Sequence, residues 1–113
     1  MTKWLRPDEG FTQNLADAAL SYTTVIARTS KLDHVYFKAT VNITETGTIT
    51  LVSALGATYN VILYRRTLTA NQNLSFRPES DVLLQAGDSI LVECTNANGT
   101  GVVSGAVKMS ELS

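Results

Sequence analysis

From Ala19 onward, apolar and polar residues alternate with a period of two, the signature of pleated strands with one face turned to a core. The clearest run lies between Asp33 and Thr44. Val35, Phe37, Ala39, Val41 and Ile43 share one face there, and Tyr36, Lys38, Thr40 and Asn42 the other. A strand is expected before it, near Leu20 to Thr29. Glu45-Thr46-Gly47 reads as a tight turn. Further strands follow at Thr48 to Ala54 and Thr58 to Thr67, separated by a break at Leu55-Gly56-Ala57. Asn73 to Phe76 is an edge segment, because Pro78 cannot donate to a ladder. Val82-Leu83-Leu84 leads to Ala86-Gly87-Asp88, where glycine supplies a positive φ without steric cost. Ile90, Val92 and Cys94 then face the core, Asn98-Gly99 suits a hairpin turn, and Val102 to Met109 is the last strand. Gly105 within it marks a bulge or a close contact. Seven or eight short strands joined by such turns predict an all-β fold, an antiparallel β-sandwich of jelly-roll type.

Two stretches depart from simple alternation. Residues 1–17 carry Pro7 and Gly10 as interruptions and Trp4, Leu5 and Phe11 as apolar anchors. They read as an N-terminal arm preceding a sandwich domain of residues 18–113, either lying as a lid over the core or docking on a neighbouring subunit. A short helical turn is expected near Thr12 to Ala19. In the strand from Thr58 to Thr67, Tyr59, Val61 and Leu63 point one way, and Ile62 and Tyr64 the other. A strand apolar on both faces needs cover on both. A chain of 113 residues has little core to spare for that. Trp4, Leu5, Phe11, Ile62 and Tyr64 are therefore the expected partner-interface residues.

Composition agrees with an associating protein. Only 17% of residues are charged and 44% are hydrophobic, with a net charge of -1. Weak self-repulsion of this kind favours association. It also excludes the basic footprint of a nucleic-acid binder; Arg65-Arg66 reads as a solvated strand end. Cys94, the chain's single cysteine, cannot form an intrachain disulfide and reads as a small core residue. Residues 1–10 have no apolar stretch, so no secretion signal is expected, and no run is long enough for a membrane helix. The chain is expected to be made in a reducing cytoplasm.

Catalytic and metal chemistry finds little to stand on. His34, next to Asp33, is the lone histidine, and a zinc site needs three or four ligands. No Gly-x-Ser-x-Gly elbow occurs. Glu79, Asp81 and Asp88 fall at turns, where carboxylates cap amides more readily than they form a glycosidic acid–base pair or a calcium site. No enzyme activity, metal or cofactor is expected. The aromatic residues Trp4, Tyr22, Tyr36, Tyr59 and Tyr64 are spread over several segments, which leaves a sugar-stacking surface as a secondary reading.

Tyr59-x-Val61-Ile62-Leu63-Tyr64, then Leu84-x-Ala86-Gly87-Asp88-Ser89-Ile90-x-Val92, Asn96 to Gly101 and a valine-rich last strand resemble the small virion proteins of tailed bacteriophages. These are head decoration (cement) proteins and neck or tail accessory subunits. The likeness spans about Thr48 to Leu112. It implies a non-enzymatic virion protein, made in the host cytoplasm, that stabilises a shell as a capsid decoration subunit. The implied partners are copies of itself, as a trimer or another homo-oligomer, and the major capsid protein, with neither nucleic acid nor membrane. A neck or tail accessory protein, or a carbohydrate or cell-surface binding module, are the alternatives.

Overall fold

A computed structural model of the chain describes residues 9–111. Among them nine strands form two antiparallel sheets packed as a β-sandwich, with no α-helix. The strands are β1 (Glu9–Asn14), β2 (Leu20–Val25), β3 (Ser30–Ile43), β4 (Thr46–Val52), β5 (Val61–Thr67), β6 (Asn71–Phe76), β7 (Leu83–Leu84), β8 (Ser89–Cys94) and β9 (Val102–Glu111). One sheet runs β1-β9-β3-β6, with β7 also pairing β3; the other runs β2-β8-β4-β5.

The alternation sets what each strand buries. Val35, Phe37 and Ala39 of β3, Val103 and Val107 of β9, Ile49 of β4, and Ile90, Val92 and Cys94 of β8 meet between the sheets, each at most 2% exposed. Leu15, Ile26 and Leu68, from connecting segments, plug the core from its rim. Burial of a side chain of this size contributes about 1.5–3 kcal/mol. Gly105 is the closest backbone approach: it pairs with Phe37 across the ladder, and an added Cβ would collide with the Tyr36 carbonyl and lie 2.6 Å from the Phe37 Cα. The expected close contact there is real.

Four expectations need correction. Residues 9–14, read as arm, form β1, paired along β9 from Glu9–Val107 to Asn14–Val102. Phe11 enters the chain's own core at 9% exposure and packs on Tyr22, with ring centroids 5.1 Å apart. The segment has no alternation to announce a strand; β9 supplies the partner that makes it one. The helical turn expected over Thr12 to Ala19 shrinks to residues 14–18, where the Asp17 and Ala18 amides donate to the Asn14 carbonyl, and Asn14, not Thr12, caps it by accepting from the Ala16 amide. Val41 is 41% exposed, because it lies past the last β3–β9 pair, Ala39–Val103. Finally, Ile62 and Tyr64 do not share a face. β5 slips register against β4 between Tyr64–Ile49 and Ile62–Thr50, so Leu63 is an extra residue in the ladder. A bulge of this kind resets alternation. Tyr64 follows Ile49 toward the interior and stacks on Phe76, at 5.0 Å between centroids, while Ile62 stays half exposed.

Candidate interaction surface

The two ends of the sandwich are built from different chemistry. At one end Glu45, 3% exposed, gathers the β8–β9 connection. Its carboxylate accepts hydrogen bonds from the Ala97 and Asn98 amides (2.9 and 2.8 Å) and from the Thr95 hydroxyl (2.7 Å). Asn98 in turn donates its side-chain amide to the Thr44 carbonyl at 3.0 Å. Burial pushes the Glu45 pKa up, and the three hydrogen bonds pull it further down, so it ends below its ordinary value of 4.5. Neighbouring Cys94 is held as a neutral thiol: burial and, second, the Glu45 charge push its pKa up to about 11. The Glu45 carboxylate is thus engaged by the chain's own donors, and the clamp it makes closes this end.

The opposite end is apolar and open. Strand ends meet there at one level, since Val25 pairs with Ser89, Ser89 with Val52, and Leu51 with Val61. The connection from Ser53 to Asn60, which carries a 3-10 turn at Ala57–Tyr59, lifts Leu55 to 81% and Tyr59 to 60% exposure. Val25, Val61, Ile62 and Leu83 beside it are each about half exposed or more. No charged residue occurs between Thr46 and Tyr64. Apolar side chains held out to water in this number make this end the candidate interaction surface.

Hydrogen bonds fix the loops that carry them. Asn60 Oδ1 accepts from the Ser53 amide (2.9 Å), Ser53 Oγ from the Leu55 amide (3.0 Å), and the Gly56 carbonyl from the Tyr59 amide (3.0 Å). Asp88 ties this loop to its neighbours. Its two carboxylate oxygens accept from the Ala54 and Gln85 amides, both at 3.0 Å, and its carbonyl accepts from the Ile26 amide at 2.8 Å. Gly87 takes φ +95°, which lets that turn form. The exposed Leu55 and Tyr59 thus sit on backbone that is already ordered, so docking them costs little further entropy.

Along the side of the molecule, β5 is an edge strand of its sheet and β6 an edge strand of the other. They part over a cleft of about 500 Å³ walled by Leu63, Tyr64, Ser75 and Phe76, with Arg77, Glu79 and Asp81 at its rim. The stacked Tyr64–Phe76 pair is its aromatic wall.

The expected interface residues are scattered by this geometry. Trp4 and Leu5 lie outside the described residues. Phe11 is internal, Tyr64 lines the cleft, and Ile62 alone of the described three belongs to the open edge. Leu55 and Tyr59, the exposed apolar side chains of the loop at the open end, read in the sequence only as a strand break and a strand start. Their signal was present: a leucine and a tyrosine inside a run that glycine and asparagine mark as a loop. His34 Nε2 lies 2.7 Å from the Ser75 hydroxyl and its ring stacks on Tyr36, while Asp33 accepts from the Ser110 hydroxyl instead of pairing with it. Asp81 sits 3.9 Å from Lys31. Among the described residues no group of three or more histidines, cysteines or carboxylates is placed to hold a metal, and no helix is long and apolar enough to cross a membrane. Comparison with family models, curated proteins and solved structures finds no match.

Proposed function

We propose that this chain is a structural subunit of a tailed-phage particle, a capsid decoration protein that works by adhesion. The observation that carries the reading is the open end: Leu55 and Tyr59 stand on a loop locked by Asp88 and Asn60, Val25 ends β2 beside them, and all three are at 60% exposure or more. A stable interface buries about 800 Å² on each partner, and a preformed apolar end contributes to it at low ordering cost. The sequence likeness to decoration and neck or tail proteins points the same way. In this reading the sandwich is a rigid strut, the open end grips a shell or tube protein, and repeated copies follow the symmetry of the particle.

Quantitative mass spectrometry of purified particles from the source of the sequence tests this. The chain should appear at a fixed copy number per major capsid protein and resist a detergent wash. Its presence in the lysate alone would overturn the proposal. A second reading, a saccharide-binding module, is favoured by one observation, the Tyr64–Phe76 wall of the cleft beneath the polar rim of Arg77, Glu79 and Asp81. It requires amide shifts at residues 63–64 and 75–82 on titration with a glycan panel, and no shifts there rejects it.

A further inference from the structure

Each sheet has two outer strands, and they differ in what they offer. On one side β1 and β2 are drawn together by the Phe11–Tyr22 contact; β1 is mostly polar and β2 has no two apolar residues in succession, reading Glu9-Gly10-Phe11-Thr12-Gln13-Asn14 and Leu20-Ser21-Tyr22-Thr23-Thr24-Val25. On the other side β6 reads Asn71-Gln72-Asn73-Leu74-Ser75-Phe76, again polar. β5 alone of the four begins with four consecutive apolar residues, Val61-Ile62-Leu63-Tyr64, of which Val61 and Ile62 are about half exposed. Its outer row of backbone amides and carbonyls has no strand beside it among the described residues. An apolar edge of this kind is a template for another strand. Its far half carries the bulge at Leu63, which bends the strand, and the exposed Arg65 and Arg66, which guard it against a parallel neighbour.

We infer that β5 pairs antiparallel with β5 of a second copy of this chain, with Ile62 at the twofold axis, joining two four-stranded sheets into one of eight. The charges select both occupant and direction. A twofold interface brings one surface against itself, so it must not repel itself. Thr46 to Tyr64 contains no charge, which satisfies that condition. A parallel pairing would set Arg65 against Arg65 and Arg66 against Arg66. The antiparallel pairing about Ile62 sets Val61 opposite the partner's Leu63 and Asn60 opposite the partner's Tyr64. It also brings Arg65 alongside the partner's 3-10 turn, which carries Tyr59 at 60% exposure. A guanidinium over a tyrosine face is attractive. The same Arg residues that guard the edge against parallel stacking thereby accept the antiparallel copy.

This rests on the reading that the chain acts by association, and it can fail separately. In sedimentation equilibrium the full chain should approach twice its 12.2 kDa mass at high concentration. Ile62→Lys should return it to 12.2 kDa with an unchanged melting temperature, because that side chain is already half in water. A single-cysteine probe fixes the register. Oxidised Ile62→Cys should form a disulfide-linked dimer. Arg66→Cys should not, since antiparallel pairing holds those positions about 26 Å apart. Native Cys94 is 1% exposed and does not compete. A mass of 12.2 kDa at every concentration, or cross-linking at position 66 without cross-linking at position 62, overturns the pairing. A monomer that is still recovered in particles overturns the pairing alone, and a dimer absent from particles overturns the particle reading alone.

Discussion

Glu45 shows how one side chain sets the condition under which a whole end of the sandwich stays closed. Three donors face its carboxylate, and they hold its pKa below 4.5 in the folded chain. A depressed carboxyl stabilises the fold fully above the unfolded value and loses that contribution as pH falls through the folded one. Urea midpoints should therefore hold level from neutral pH to about 5 and fall below 4.5. Glu45→Gln should lower stability by about 2 kcal/mol at pH 7 and flatten the acid limb, since hydrogen bonds to a charged acceptor contribute about 1.5–3 kcal/mol. An unchanged acid limb in the variant would assign the acid sensitivity elsewhere. None of this was legible in the sequence. Glu45 read as a turn residue because its partners lie at residues 95–98, some fifty positions on, and only the fold brings them together. The burial of Cys94 was legible, because it depends on its own strand's alternation.

At the scale of elements, legibility followed the same division between local and distant causes. β3, β8 and β9 carry apolar residues every second position and were recognisable. β1 was not, because Glu9 to Asn14 is polar and becomes a strand by pairing with β9. The bulge at Leu63 was invisible as well, since a bulge is a relation between two strands; missing it placed Tyr64 outside with Ile62. Gly105 was flagged from its position within a strand, and the β3–β9 approach explains it. Gly105→Ala should cost at least about 3 kcal/mol, the upper range for overpacking, because its collision is with backbone and not with a movable side chain. Thermal unfolding measures this directly, and a loss under about 1 kcal/mol would mean that β3 and β9 separate easily.

Taken whole, the molecule has a locked polar end and an open apolar one, and the two should respond differently to mutation. Leu55→Ser and Tyr59→Ser remove exposed atoms, so each should change folding stability by no more than about 0.5 kcal/mol. Both should nevertheless weaken association with shells stripped of the subunit at least tenfold, as measured by cosedimentation. Retained association would move the contact away from this end. The sandwich architecture was readable from the alternation of the strands, and an exposed apolar surface from composition and from β5. The place of that surface was not, because the exposure of Leu55 and Tyr59 depends on how Asp88 and Asn60 fold three separate loops against one another.

The neighbouring of β1 and β9 bears on how the chain comes to be. Glu9 finds Val107 only after about a hundred intervening residues have been made, and sequence-distant pairing slows the search for the native topology. On the ribosome, the first sheet must wait with its β9 slot vacant while the second can close from β2 to β8 alone. Folding should accordingly finish late, in a single cooperative step, and a circular permutant that links residue 111 to residue 9 by a short tether should fold faster than the natural order.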